Sequence, residues 1–268
     1  MVSLRLAALQ VPVGDSPKGS IRALRDLSSQ LSRGEVDLLV LPEAWTDRDP
    51  LPRLDEMLAY AGVLISELSE IACALSTQLY GGGIYVYRGG PRVGCPVIDH
   101  DGKLIGWQYK THLFRDERRF FVPGEDFRSF TCKTIKVGVL ICHDIVYPEN
   151  ARILALRGAD LIVSPARIVS EGIKPWHIYL RARCLENRLP ILASNVWIEG
   201  QAEGRSIVVE PTHQPDDIVD VRESVLDEEG GGLLISSVNI ERPNRLRLER
   251  LGNRRPELYG DLCRDYQT

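Results

Sequence analysis

Residues 135–166 read IKVGVLICHDIVYPENARILALRGADLIVSPA, and this stretch decides the fold. Its first eight residues are nearly all apolar, which is typical of a strand buried on both faces. A predicted helix over 148–157 and a second apolar strand over 160–164 follow. Strands that alternate with helices in this way indicate an α/β fold.

The same alternation continues on both sides of this stretch. Ser16 followed by Pro17 predicts a helix start, and Gly34 is placed to end that helix. The remaining predicted elements are strands over 3–11, 36–43, 81–87 and 190–196, helices over 54–75 and 175–188, and short strands between about 205 and 240. Since no linker or repeat interrupts the pattern, we expect residues 1–268 to form one domain.

A hairpin is predicted around Asp101-Gly102, because Asp-Gly is a strong two-residue turn signal. The flanking runs PVIDH and KLIGWQY should pair as antiparallel strands. This pairing would place Lys110 at the far end of the second strand.

Composition and charge narrow the classes of function. The chain is 44% hydrophobic with a net charge of −4, and its basic residues are dispersed, so nucleic acid is not an expected partner. We see neither a secretory leader nor an apolar run that approaches membrane-spanning length, and we expect no membrane partner and a cytoplasmic location. The six cysteines and five histidines show no framework or metal-ligand spacing, so we expect reduced thiols and neither metal nor cofactor.

Three chemically active residues stand at the ends of predicted strands: Glu43, Lys110 and Cys142. Ligand crevices of open α/β sheets lie outside the carboxyl ends of their strands. A nucleophilic cysteine needs a base or a cationic neighbour, which Glu43 and Lys110 would supply. An ammonium and a backbone N–H could then stabilise the oxyanion that forms when a thiol attacks an amide carbon.

Each of these residues alone has an ordinary structural explanation, because cysteine is a frequent core residue and strand ends often carry solvated charges. A Cys142–His143 dyad with Asp144 is a competing hypothesis. If the strand continues through both residues, their side chains point to opposite faces, which argues against the dyad.

Three segments resemble the catalytic segments of the nitrilase superfamily: LPEAW at 41–45, YKTHLF at 109–114 and GVLICHDIVYPENAR at 138–152. Their order and spacing agree, and further similar segments extend over nearly the whole chain. The resemblance implies a four-layer αββα sandwich that dimerises, so we expect at least a homodimer. Residues 241–268 would form a C-terminal tail at the dimer interface.

By the same resemblance, Glu43 is the general base, Lys110 stabilises the tetrahedral intermediate and Cys142 is the nucleophile. Glu117 matches the family's second glutamate, which helps to orient the lysine and the substrate. The backbone N–H of His143 would complete the oxyanion site.

Several positions depart from the family pattern. Val146 stands where many amidase-like members carry an arginine, so binding of a substrate carboxylate by that arginine does not carry over. His-Asp after the cysteine, instead of Trp-Glu, favours an amide over a nitrile. Further substrate contacts are predicted at positions that line the pocket in relatives or, for Arg167, that follow the SPA segment: Arg167, Trp176, Asn195 and Trp197.

The sequence therefore predicts a hydrolase that cleaves a non-peptide carbon–nitrogen bond of a small carboxamide through a cysteine thioester. Nitrile hydrolysis and hydrolysis of an N-carbamoyl amide are the alternatives, since one thiol can attack any of these carbons. A non-catalytic scaffold of the same fold is a further alternative, against which the intact Glu43, Lys110, Glu117 and Cys142 argue.

Overall fold

The computed structural model describes residues 2–215, 218–227, 229–240 and 245–264. Its helices and strands, in chain order, are β1 Val2–Gln10, α1 Pro17–Ser28, β2 Leu38–Val40, α2 Leu54–Leu75, β3 Gln78–Tyr80, β4 Ile84–Tyr87, β5 Pro91–Ile98, β6 Leu104–Tyr109, β7 Ser129–Cys132, β8 Ile135–Val139, α3 Pro148–Leu156, β9 Leu161–Ala166, α4 Ile173–Asn187, β10 Ile191–Asn195, β11 Trp197–Ile198, β12 Ala202–Glu203, β13 Ile207–His213, β14 Val219–Val225, β15 Gly232–Ile240 and α5 Arg245–Gly252.

Within these ranges the strands form two large mixed sheets and one small hairpin, β11–β12. The first sheet has the order β15-β1-β2-β3-β5-β4, with β6 paired to β5, and the second has the order β14-β13-β10-β9-β8-β7. The central pairs β1–β2, β2–β3, β8–β9 and β9–β10 are parallel. The α/β prediction is confirmed. The segments of Glu43 and Cys142 follow the parallel strands β2 and β8, whereas that of Lys110 follows β6, which pairs antiparallel with β5.

The two sheets pack face to face, with helices on their outer faces. Along β1, Leu4, Leu6 and Ala8 point into the core between the sheets, whereas Ala7 and Leu9 pack with α1 and α2. This alternation follows from the period of two along a strand. Helix α2 contacts β3, β4 and β5, and α4 contacts β13 and β14. The result is the predicted αββα sandwich.

The predicted hairpin around Asp101-Gly102 is confirmed, since β5 and β6 pair antiparallel on either side of it. The Ser16 side chain also caps α1 as predicted, accepting the Gly19 N–H at 3.3 Å. Helix α1 ends at Ser28, six residues before Gly34. The hydroxyls of Ser28 and Ser29 donate to the carbonyls of Arg25 and Asp26, and such local bonds compete with helical ones.

The length of helix α2 corrects the expectation that no apolar run of the chain approaches membrane-spanning length. The run Leu51–Leu75 is long and apolar enough to cross a membrane by length and composition alone. In this fold its apolar stripe packs on the first sheet, with Leu64 and Leu68 buried in the core beneath it. The stripe is therefore explained by packing on the sheet.

Candidate active site

Glu43 lies between the two sheets, three residues after β2 ends. Its N–H donates to the Ala166 carbonyl of β9 at 3.1 Å, and its backbone pairs with Gly83. A Cβ atom at position 83 would come within 2.7 Å of the Glu43 Cγ, so the close approach requires glycine there. The Glu43 carboxyl is buried as a result, with 4% of the residue exposed.

Lys110 follows β6 directly and is held from both sides. Its N–H donates to the Val93 carbonyl of β5 at 2.9 Å, and its own carbonyl accepts the Gly124 N–H at 2.7 Å. Only 1% of the residue is exposed. A lysine this deeply buried requires anionic partners, because desolvation of an unpaired ammonium is very costly.

Two carboxylates supply these partners. Lys110 Nζ donates to Glu43 Oε1 at 2.8 Å and lies 2.8 Å from Glu117 Oε2. Glu117 belongs to a 3-10 turn, Arg115–Arg119, and its carboxylate also accepts the Phe114 N–H at 2.7 Å. The structure thus places the predicted base, lysine and second glutamate in one contiguous ion-pair cluster.

The predicted strand over 135–142 ends earlier, at Val139, and Cys142 begins a 3-10 turn, Cys142–Val146. The apolar pattern misled because Leu140 and Ile141 are completely buried although they lie outside the strand. Cys142 adopts a left-handed backbone with φ of 47°, a strained conformation for a residue other than glycine. This sharp turn places the thiol 3.9 Å from the Arg167 carbonyl and close enough to Glu43 for that charge to raise the pKa of the thiol.

The turn also bears on the predicted oxyanion site. The first N–H groups of a helical turn have no partner inside it, and His143 is the second residue of the Cys142–Val146 turn. Its N–H is therefore available beside the thiol. The strand argument against a Cys142–His143 dyad no longer applies, but the imidazole is engaged elsewhere, 3.3 Å from the Tyr147 hydroxyl and edge-on to Phe114.

Asp144 joins the lysine and cysteine loops and was missed as a functional residue. Its carboxylate accepts the Ile141 N–H at 3.1 Å, the His112 N–H at 2.8 Å and the Thr111 hydroxyl at 2.6 Å. The residue is completely buried. The only sequence signal was an acid two residues beyond the cysteine, which the dyad hypothesis assigned to His143.

Electrostatics favour a neutral thiol next to a charged lysine. Burial and the Glu43 charge raise the pKa of Cys142 well above its usual value, and the opposing effect of Lys110 is smaller. Burial lowers the pKa of Lys110, but Glu43, Cys142 and Glu117 outweigh it and hold that pKa well above normal. Burial and Glu43 raise the pKa of Glu117. The cluster therefore holds one ammonium between two carboxyl groups, beside an SH group.

The predicted substrate contacts fall into two groups. The side chains of Arg167 and Asn195 bind backbone: Arg167 donates to the Ala44 and Asp47 carbonyls at 2.8 Å, and Asn195 bonds to Ile168 and Gly204. Arg167 also lies beside the thiol, since its carbonyl is 3.9 Å from Cys142 Sγ. Both side chains hold the loops around the site in place.

The two predicted tryptophans lie in different surroundings. Trp176 is buried in the core, and its indole N–H has no partner among the described residues. Trp197 is half-buried in β11 and lines a separate cavity of about 470 Å³ with Glu199 and Arg205. That cavity does not include Cys142. In the part of the chain that the structure describes, no three His, Cys, Asp or Glu side chains group as metal ligands.

A buried Glu–Lys–Glu cluster thus lies beside a cysteine, between the two sheets of an αββα sandwich. A model of the carbon-nitrogen hydrolase family matches residues 5–215. The chain belongs to this family, within the nitrilase superfamily, and is a carbon-nitrogen hydrolase.

Two relatives show the range of the family. A Schizosaccharomyces pombe protein named as a probable nitrilase is 34% identical over 174 residues, which are 63% of this chain and 61% of that protein. The chain thus matches about three fifths of that relative's length. The omega-amidase of Mus musculus is 28% identical over 232 residues, covering 80% of this chain and 83% of that protein.

Solved structures confirm the fold. A carbon-nitrogen hydrolase from Helicobacter pylori G27 superposes with a TM-score of 0.85 at 24% identity, over 99% of this chain and 100% of that one. A mutant amidase from Nesterenkonia sp. AN1, which shows Michael addition of acrylamide at its active site cysteine, gives 0.79 at 22% identity, over 97% and 99% of the two chains.

Proposed function

We propose that this chain hydrolyses a small carboxamide to the carboxylic acid and ammonia or an amine, through a thioester on Cys142. The observation that carries the proposal is the placement of Lys110 Nζ 2.8 Å from both Glu43 and Glu117, beside the Cys142 thiol. This arrangement offers a nucleophile, a base and a cation within one buried site.

Acylation begins from the protonated thiol. Glu43 removes the proton as Cys142 Sγ attacks the carbonyl carbon, so a carbon–sulfur bond forms and the carbonyl π electrons move to oxygen. The raised pKa of Cys142 supports this order, because little thiolate is present before the substrate binds. General-base removal of the proton during attack supplies the nucleophile when it is needed.

Lys110 and the His143 N–H stabilise the oxyanion that results. The ammonium is already desolvated and fixed by two carboxylates, so it needs no reorganisation when negative charge develops on the oxygen. When the intermediate collapses, the carbon–nitrogen bond breaks and protonated Glu43 returns its proton to the leaving nitrogen.

The second half of the reaction regenerates the enzyme. Glu43 takes a proton from water as the water oxygen attacks the thioester carbon, and the carbon–sulfur bond then breaks. The sulfur recovers a proton, and the carboxylic acid leaves. In total one amide and one water give one acid and one amine, and the proposal requires no further reactant.

Nitriles are the alternative substrates, because the same thiol can attack a nitrile carbon to give a thioimidate. The likeness to a protein named as a probable nitrilase keeps this alternative open. The site also disfavours one amide class: Val146 provides no cation, and the nearby Arg183 already donates to the carbonyls of Ile145 and Val146. A free substrate carboxylate would find no partner there.

The test is ammonia release from a panel of aliphatic and aromatic amides, ω-amido acids, carbamoyl amino acids and nitriles. We expect turnover of neutral amides that is abolished in the Cys142→Ala variant. Preference for nitriles would favour the alternative. No release from any member of the panel by the folded protein would refute the enzyme proposal.

We also propose that the chain assembles as a homodimer through the face made by α3, α4 and residues 245–264. Large apolar side chains are exposed on this face: Leu156, Ile178, Leu248, Leu258 and Leu262. The described part of the C-terminal tail also packs on its own chain, where Arg247 donates to the Ala155 carbonyl at 3.2 Å. Residues 241–244 and 265–268 of the predicted tail lie outside the described residues. Light scattering of the purified chain tests the assembly, and a monomer would contradict it.

A further inference from the structure

Tyr85 is a buried tyrosine that the steps above do not use, although the residues around it bond to Glu43, Lys110 and Glu117. It lies in β4 directly opposite Val93, the residue whose carbonyl accepts the Lys110 N–H. Two residues before it, Gly83 pairs with Glu43. Its ring packs on Phe121 at 4.9 Å between centroids, and the Phe121 N–H donates to the Glu117 carbonyl.

The Tyr85 side chain points into the site. Successive side chains of a strand alternate between faces, so Tyr85 and Gly83 share a face. A Cβ on Gly83 would meet the side chains of Glu43 and Val93, which places all of these groups on the inner face of the first sheet. Tyr85 accordingly belongs to the core cluster that contains Cys142.

The Tyr85 hydroxyl has no hydrogen-bond partner among the residues that the structure describes, although only 6% of the residue is exposed. Within the described chain, the hydroxyl oxygen is not completely sealed from solvent. The hydroxyl is therefore accessible to a water-sized polar group. Most buried polar groups have a partner, so the missing one points to a bound molecule.

Strand pairing places the Tyr85 phenol on the Glu43 side of the site, because Gly83, two residues earlier on the same face, pairs with Glu43. Burial raises the pKa of Tyr85 above its usual value, and Glu43 is the charged group that adds most to the increase. Arg167, Glu117 and Lys110 act on the phenol more weakly, in that order. The phenol is thus neutral at physiological pH, so it retains both a donor and acceptor lone pairs.

We propose that the Tyr85 hydroxyl binds the nitrogen of the scissile carboxamide by accepting a hydrogen bond from its N–H. This inference rests on the proposed amide hydrolysis. Glu43 returns a proton to that nitrogen, so the nitrogen must lie close to Glu43. The Tyr85 phenol lies on this same side of the site. A primary amide has two N–H groups, and the Tyr85 oxygen receives the one that does not face a carboxylate.

The substrate class follows from this position. A primary carboxamide has two N–H groups and an N-alkyl amide has only one, so this hydrogen bond favours unsubstituted carboxamides as substrates. Tyr85 is thus a substrate-binding residue that selects the leaving group of the amide. The residues around the acyl chain of the substrate select its acid part.

The test compares a primary amide with an ester of the same acid, in the wild type and in Tyr85→Phe. Both substrates form the same thioester, but an ester leaving group has no N–H for the phenol to accept. We expect Tyr85→Phe to lower kcat/KM for the amide about tenfold, the usual effect of one lost hydrogen bond, and to change that for the ester less than about twofold.

Tyr80→Phe is the matched control. Tyr80 is a completely buried tyrosine of the same sheet, but its hydroxyl is held by Gln78 at 3.0 Å, so its loss should leave the ratio of amide to ester rates unchanged. Equal losses for amide and ester in Tyr85→Phe, or no loss for either, would overturn the role of Tyr85. If the wild type hydrolyses no amide, the proposed function itself fails, which is a separate outcome.

Discussion

The carboxylate of Asp144 accepts the backbone N–H of His112 at 2.8 Å, although the two residues belong to loops from different sheets. The same carboxylate accepts the Ile141 N–H, which adjoins Cys142, while His112 lies two residues after Lys110. One buried acid therefore sets the position of the nucleophile relative to the lysine. The packing of the two sheets alone would leave this alignment much looser.

Replacing Asp144 with Asn should impair both stability and catalysis. An amide retains one acceptor oxygen but turns an NH2 group toward backbone donors, which should lower the free energy of unfolding by about 1–3 kcal/mol. Misalignment should reduce kcat at least about tenfold. Urea unfolding and ammonia release measure the two effects. The exposed Asp126→Asn is the control, and an unchanged kcat in Asp144→Asn would contradict the alignment role.

Replacing Lys110 with Met should leave Glu43 and Glu117 facing each other without a cation. Loss of one partner from a buried ion pair costs about 3–5 kcal/mol, and activity should disappear. The pKa of Glu117, already raised, should rise further, so stability is present at low pH and is lost as pH increases through that pKa.

Urea unfolding of Lys110→Met at pH 5 and pH 8 measures this effect, with lower stability expected at pH 8. Addition of Glu117→Gln should recover part of the loss, because one of the two charges is removed. A variant that is equally stable at both pH values would show that the carboxylates do not depend on Lys110.

Cys142 should react slowly with methyl methanethiosulfonate near neutral pH. Burial and Glu43 raise the pKa of its thiol, so the reaction should reach half its maximal rate above pH 9, the usual thiol value. Removal of the Glu43 charge in Glu43→Gln should shift the profile to lower pH. Peptide mass spectrometry follows Cys142 beside the exposed Cys73, and faster labelling of Cys142 than of Cys73 at pH 7 would refute the prediction.

Alkaline pH should destabilise the fold through its buried thiols. Burial raises the pKa of Cys95 to about 12 and that of Cys132 to about 11. The folded state keeps protons that the unfolded chain releases above about pH 9, so this contribution is complete below pH 9 and is lost as pH rises toward 12. Urea unfolding between pH 8 and pH 11 should show the decline. Cys95→Ala should flatten it, whereas the exposed Cys73→Ala should leave the slope unchanged.

Much of the fold could be predicted because its signals are local. The Asp101-Gly102 turn specified the β5–β6 hairpin, and the apolar spacing from Leu54 to Leu75 gave the bounds of α2. Glu43, Lys110 and Cys142 could be grouped because each follows a predicted strand and lies in a segment that resembles a catalytic segment of the family, although the structure places β2 and β6 in the first sheet and β8 in the second. The structure brings these three residues and Glu117 together.

Other features depend on tertiary contacts and have no local signal. Burial continues past β8 through Leu140 and Ile141, so hydrophobicity could not show that the strand ends at Val139. The Arg167 side chain, which is predicted to contact substrate, binds carbonyls more than 100 residues earlier in the chain, and no local pattern indicates this placement. Tyr85 became notable only when strand pairing placed it beside Glu43 and Lys110.

Each catalytic loop contains one residue other than glycine in the left-handed region: Ala44 after the base, Arg115 beside Glu117, and Cys142 itself, with φ between 46° and 47°. Isolated peptides avoid these conformations, so contacts from both sheets must impose them. The site should then be among the last parts of the molecule to form during refolding. Recovery of activity should lag behind recovery of tryptophan fluorescence, and enzymatic activity would report completed folding more strictly than any spectroscopic signal from the core.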